Sequence, residues 1–233
     1  MAKEPRLITR MNFTRKLVLA SSSPRRQYLM RELGYSFKIE KPDVEEDFPH
    51  DLPVEHVAKY LASKKAEYFR LRMQDEILVT ADTVVIINNK ILNKPQDRAE
   101  AIAMLTELAG NTHHVMTGVC ILSKEKEDSF EVTTRVTFKN LTRQDIESYI
   151  DQYNPFDKAG SYGAQDCLPA GMNPCSTEEI NFLNSVHKSH LIRNTITPSQ
   201  DNDGIVMIEK IDGSYFNVMG LPIHKVHEHL AKY

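Results

Sequence analysis

The sequence predicts an α/β fold built on a mixed β-sheet. Three observations carry that expectation. Leu17-Val18-Leu19-Ala20 is a short apolar run that gives way at once to a helix start. Residues 77–87, ILVTADTVVII, form a longer apolar run between segments of helical periodicity. Strand-like and helix-like segments are interspersed along the chain rather than collected in blocks.

The first strand runs into Ser21-Ser22-Ser23-Pro24. Ser23 suits an N-cap, Pro24 the first helical position and Gly34 the helix stop. Residues 36–40 read as a second strand entering the acidic loop Pro42–Asp47. A helix is expected from about Pro53, because Val54, Val57, Ala58 and Leu61 share one face. The apolar strand 77–87 follows, and Asn88-Asn89 suits a tight turn into Lys90-Ile91-Leu92, since Asn tolerates positive φ. A helix from Asp97 to Ala109 buries Ala101, Met104, Leu105 and Leu108 and stops at Gly110.

Residues 112–138 read as two strands joined by the charged turn KEKED. Thr142 and Asp145 make a capping box for a helix reaching Tyr153. Residues 166–203 show little periodicity and read as a long inserted loop, with one helical piece over EEINFLNSVHKSHL. Ile205–Ile211 and Ser214–Val218 are expected to form a hairpin across Asp212-Gly213, and a last helix starts near Pro222. The domain plan is a basic extension over 1–16, then a single domain over 17–233 carrying that insertion.

Net charge is −3, so no global field recruits nucleic acid or an anionic membrane, and any anion site must be built locally. No apolar stretch approaches the roughly 20 residues a membrane helix needs. Three cysteines, an odd number, without an apolar signal segment point to a reducing compartment, the cytoplasm. The first sixteen residues carry Lys3, Arg6, Arg10, Arg15 and Lys16 against Glu4. Organellar targeting segments are richer in serine, so the expectation here is a basic tail.

Asp82 is the most informative residue, because it interrupts an apolar strand. A charged side chain in such a place needs a compensating cation, donor set or metal. Two readings are open: a structural ion pair with a lysine, or a shared hard cation with the acidic stretch Glu45-Glu46-Asp47. Mg²⁺ commonly takes one or two carboxylates and borrows oxygens from a substrate phosphate. Ser21 to Arg26 set hydroxyls, a helix N-terminus and two guanidiniums at one point, which suits phosphate. An ordinary capped helix with solvated arginines is the competing reading. Lys65, Lys94 and Lys158 fall near the ends of expected elements. Cys167, Cys175, His187 and His190 lack zinc-site spacing. His224, His227 and His229 read as a polar helix face.

Seven segments, in order, resemble the Maf family of nucleoside triphosphate pyrophosphatases. They are LVLASSSPRRQYLMRELGYSF, PDVEED, LASKKAE, ILVTADTVVIINNKILNKP, AIAMLTELAGNTHHVMTGV, FDKAGSYGAQD and IDGSYFNVMGLPI, spread over residues 17–223. The resemblance implies a mixed twisted sheet flanked by helices, with two lobes around a deep cleft. It implies hydrolysis between the α and β phosphates, a divalent metal (Mg²⁺, or Mn²⁺) and a homodimer. By the same resemblance, Asp82, Lys65 and Lys94 are catalytic and Glu46 holds metal with Asp82. Ser21, Arg25, Arg26, Thr83, Lys158 and Gln165 contact substrate. Arg25, Thr83 and Gln165 match the branch that prefers dTTP and UTP and clears non-standard pyrimidine nucleotides. A 7-methyl-GTP or other purine preference is the alternative within the family. A nucleotide-binding regulator of cell division, without turnover, is the alternative outside enzymology. Asp82 and Thr83 are neighbours in sequence, so for both to reach substrate the strand is expected to end or bulge there.

Overall fold

The computed structural model describes residues 15–192 and 205–233. Among these, a seven-stranded mixed sheet has the order β2-β1-β3-β5-β6-β7, with β4 paired to β3. The strands are β1 (Leu17–Ala20), β2 (Phe37–Glu40), β3 (Ile77–Ile87), β4 (Lys90–Leu92), β5 (Thr112–Leu122), β6 (Glu127–Phe138) and β7 (Ile208–Asp212). Most of the turn chemistry read from the sequence is present. Ser23 caps α1 (Pro24–Glu32) by accepting from the Arg26 amide. Asn88 and Asn89 take positive φ between β3 and β4, and Gly34 and Gly110 take positive φ after their helices. Thr142 and Asp145 form the reciprocal capping box of α4 (Arg143–Tyr153).

β3 is buried on both faces, which is why it reads as a continuous apolar run. Its residues Ile77, Val79, Ala81, Val85 and Ile87 enter the main core with α1, α3 (Arg98–Leu108) and α4. The opposite face packs on α2 (Val57–Arg70). There the apolar contacts fall into two separate clusters, one holding Leu78 and Cys120, the other Val84, Ile86 and Met116. Asp82 on β3 and Gly118 on β5 are register partners in the gap between them.

The order 2-1-3 means that the chain leaves β1 toward one side and returns across it to reach β3. Ligands of open α/β sheets bind outside the strand carboxyl ends at such a switch point. Here β1 pairs only with Ile77–Val79, and β4 only with Val85–Ile87. Among the described residues, no strand covers that edge of β3 from Thr80 to Val84. A cleft opens there.

Four sequence expectations need correction. The helix expected from Pro53 begins as a single 3₁₀ turn over Val54–His56 and becomes α-helical only at Val57. Ser214–Val218 is not a strand: Ser214 caps a short helix, α6 (Tyr215–Val218), by accepting from the Asn217 amide, so β7 pairs with β6 and no hairpin forms. The helical piece over 178–191 is interrupted: α5 spans Thr177–Ser185, and His187 then takes a φ of 58°. The C-terminal helix α7 (Ile223–Leu230) does not offer its histidines to solvent alone. His227 meets the Tyr35 hydroxyl and His229 meets Asp128, at 2.9 and 2.8 Å. The extension over 1–14 and the last part of the expected insertion, 193–203, lie outside the described residues.

Candidate active site

The cleft has a volume of about 700 Å³ and is lined by all ten residues that the resemblance makes catalytic, metal-holding or substrate-contacting: Ser21, Arg25, Arg26, Glu46, Lys65, Asp82, Thr83, Lys94, Lys158 and Gln165. Glu45 and Asp47 of the acidic stretch are not among its lining. Asp82 and Thr83 both reach it although β3 neither ends nor bulges between them, because its pairing with β5 is regular through Ile86. Their side chains do point to opposite faces of the sheet. Asp82 meets Lys65 of α2, whereas Thr83 meets Arg26 of α1 and Thr117 of β5. It is the neighbouring strand that departs, so both faces open along the bare edge.

Asp82 and Lys65 are 8% and 7% exposed and directly paired. Of the two open readings of Asp82, the structure shows the lysine pair, and that lysine partner itself faces the cleft. Lys65 lies in the middle of α2, not near an element end as expected. Its ammonium also reaches Glu46 at 2.7 Å, while Lys94 approaches the second oxygen of Glu46 at 3.3 Å. Burial alone would raise the Glu46 carboxyl; Lys65 and Lys94 outweigh it and hold the group at about 2. The neighbouring pair repeats the pattern outside the cleft, with Lys64 donating to the Asp47 side chain at 2.5 Å.

The two arginines have different work. Arg26 gives its Nε to the Gly220 carbonyl (2.8 Å), one Nη to the Ala81 carbonyl (2.8 Å) and the other to Thr83 Oγ1 (2.9 Å). Most of its donor fork is committed to joining α1, the bare edge of β3 and the turn after α6. Burial pulls its guanidinium below the usual arginine range, against the field of Asp82. Among the described residues, Arg25 is held only by Asp157, at 3.5 Å. It is the arginine with donors to spare for a ligand. Ser21 accepts from the Ser23 amide at 3.2 Å and tightens the turn into α1.

The far wall comes from residues 157–165. Lys158 donates to Asp157 at 2.7 Å. Burial alone would raise the Asp157 carboxyl; Lys158 and Arg25 reverse that and hold it below the usual range. Gln165 donates to Asp166 at 3.3 Å, and burial raises the Asp166 carboxyl despite Lys158. The segment that follows does not pull Gln165 away, because the chain returns to its point of departure. The Cys167 carbonyl accepts from both the Met207 and Ile208 amides, at 3.1 Å each.

Sequence reasoning did not single out Thr117, Asn217 or Gly220. Thr117 Oγ1 donates to the Asn217 carbonyl at 3.0 Å and lies 3.0 Å from Thr83 Oγ1. Gly220 takes a φ of 106°, a conformation that L side chains rarely adopt, which lets its carbonyl accept from Arg26. The signal for Gly220 was present in the sequence as a glycine just before Leu221-Pro222; Thr117 and Asn217 gave none.

Cations and a helix N-terminus on one wall face a carboxylate pair on another. That charge arrangement suits a polyanion, and it is set at the switch point of an α/β sheet. The chain belongs to the Maf family: a model of Maf-like proteins matches residues 16–174 and 197–233. A dTTP/UTP pyrophosphatase of Porphyromonas gingivalis is 39% identical over 222 residues, 94% of each chain. Proteins of the same name from Bacteroides thetaiotaomicron and Flavobacterium psychrophilum are 36% and 37% identical over 219 residues. Those matches cover 93% of this chain and 95% of the first relative, and 94% of this chain and 94% of the second.

Proposed function

We propose that this protein hydrolyses dTTP and UTP between the α and β phosphates, releasing the nucleoside monophosphate and pyrophosphate. The single observation that carries the reading is the meeting of Asp82, Lys65 and Glu46 with the Ser21–Arg26 turn in one cleft. The full-length likeness to relatives named dTTP/UTP pyrophosphatase supplies the nucleotide.

A triphosphate carries about four negative charges, and its cleavage depends on positioning and electrostatic stabilisation. Arg25, Lys94 and Lys158 neutralise the phosphate chain, while the α1 N-terminus and Ser21 seat it. Arg26 fixes the wall they share. Asp82 orients the attacking water toward the α phosphorus, and Lys65 keeps that carboxylate in place. The bond from the α phosphorus to the bridging oxygen breaks, and the oxygen leaves with the pyrophosphate. Gln165 and Thr83 face the nucleoside and favour a pyrimidine.

The donor set suits a divalent cation. Two carboxylates, Glu46 and Asp82, already share the Lys65 ammonium, and Mg²⁺ asks for one or two protein carboxylates. Glu46 and Asp82 would hold Mg²⁺ or Mn²⁺, which when bound polarises phosphoryl oxygens and offsets their charge. The protein works as a homodimer in this reading. Among the described residues no helix is long and apolar enough to cross a membrane.

The test is a panel of nucleoside triphosphates with Mg²⁺, scored for pyrophosphate and for orthophosphate. Pyrophosphate from dTTP and UTP in preference to purines supports the reading. Selective turnover of 7-methyl-GTP, or tight nucleotide binding without turnover, would replace it.

A further inference from the structure

Residues 175–196 fall between the two stretches that match the Maf-like model, yet they contain the most completely buried carboxylate among the described residues. Glu179, in α5, is 0% exposed. Its Oε1 accepts from Ser214 Oγ at 2.5 Å and from the Phe216 amide at 3.1 Å. Its Oε2 accepts from the Tyr215 amide at 3.0 Å and from the Ser176 amide at 2.9 Å. One carboxylate thus closes the capping box of α5 and satisfies the first amides of α6. A buried carboxylate needs such a donor set, and four donors that lose it are left unsatisfied together.

The segment that Glu179 grips runs directly into the cleft wall. Asn217 of α6 donates through Nδ2 to the Val115 carbonyl and to Thr134 Oγ1, at 2.9 and 3.0 Å. Its own carbonyl accepts from Thr117, which contacts Thr83, which accepts from Arg26. Three residues beyond Asn217, the Gly220 carbonyl accepts from Arg26 Nε. Both routes from Glu179 therefore end on the same guanidinium.

We propose that Glu179 is a positioning residue for nucleotide binding: through the Ser214–Gly220 segment it fixes Arg26 and Thr83 in the cleft. The inference rests on the proposed function for its substrate. The segment outside the family match is thereby part of the active-site frame rather than an ornament on it.

The experiment uses Glu179→Gln in the full chain, which keeps the shape but turns an amide NH₂ toward backbone N–H donors. Two readouts are taken. Steady-state kinetics with dTTP should show KM rising about tenfold, the worth of one hydrogen bond to a charged group, with kcat changed far less. That rise should shrink when Glu179→Gln is made on an Arg26→Lys background, because coupled sites are non-additive. The second readout is the Arg26 Nε–H signal in ¹⁵N-arginine-labelled protein, which needs no turnover and should shift or exchange faster in the variant. A merely structural loss would lower the folded fraction, hence kcat, and leave both KM and that signal unmoved. Unchanged KM with an unmoved Arg26 signal overturns the inference. A moved Arg26 signal in the variant, where the wild-type protein releases no pyrophosphate from any triphosphate tested, sustains the positioning and sinks the functional reading instead. Should Glu179→Gln not fold, Ser214→Ala removes one of the four donors and must move the same two readouts in the same direction.

Discussion

Gly118 stands directly across from Asp82 on the neighbouring strand, and its missing side chain is what lets α2 bring Lys65 down onto that carboxylate. A Cβ at position 118 would lie 2.3 Å from the Ala58 carbonyl carbon and 2.3 Å from the Lys59 amide, both backbone atoms of α2. Neither can give way without moving the helix. Gly118→Ala is expected to cost about 1–3 kcal/mol, as overpacking does. It should lower pyrophosphate release by more than the folded fraction accounts for, because Lys65 moves with α2. Denaturant melts paired with the assay check this, and a variant with normal stability and activity would show that the close approach is dispensable.

Lys65 is the cation on which Asp82 and Glu46 both depend. Lys65→Met leaves two carboxylates facing each other at a partly buried site, and breaking a buried pair costs about 3 kcal/mol. Mg²⁺ should restore part of that loss, since binding to the folded state alone raises its stability. Thermal melts with EDTA and with Mg²⁺ measure it; a variant indifferent to Mg²⁺ would argue against a metal held by this pair.

Glu46 has a folded value of about 2, well below that of an unfolded glutamate. A depressed carboxyl contributes stability that is fully present above the unfolded value, about 4.3. The contribution is lost as pH falls from there toward 2. Glu46→Gln should therefore lose that contribution near neutrality, in an amount kept modest because the group is half exposed. Its stability should converge on that of wild type as pH falls through that window, flattening the acid limb. Stability measured by denaturant titration at several pH values decides it; an unaltered acid limb would mean Lys65 and Lys94 do not hold Glu46 as described.

Gly163 offers a way to perturb nucleoside selection without unfolding. Its φ is −110°, open to any residue, and an added Cβ would meet Asp166 Oδ2 at 2.4 Å and Gln165 Nε2 at 2.8 Å. Both are side-chain ends that can turn away. Gly163→Ala is expected to change the ratio of kcat/KM between UTP and purine triphosphates several-fold while stability shifts by less than about 1 kcal/mol. An unchanged ratio would remove Gln165 from the base-selecting residues.

Much of this site was legible because its chemistry violates local expectation. An aspartate in an apolar strand and a Ser-Ser-Ser-Pro-Arg-Arg turn after another strand both demand partners, and the structure places those partners in one cleft. What could not be read were relationships set by three-dimensional neighbours. The bare edge that admits both Asp82 and Thr83 depends on where β1 stops pairing, a property of β1 and β4 rather than of β3. Ser214–Val218 has the β-branched and aromatic content of a strand, but Ser214 and Glu179 satisfy its amides as a helix start. The partner that decides that segment's conformation, Glu179, lies 35 residues from Ser214 in sequence.

The central claim is most directly tested by pyrophosphate release from dTTP with Mg²⁺ by wild type and by Asp82→Asn. The account predicts a fall in kcat of at least about 100-fold, the scale of losing a positioned catalytic group, in a variant that remains folded and still binds the nucleotide. Near-normal release by folded Asp82→Asn would contradict it and leave Asp82 as nothing more than the structural partner of Lys65.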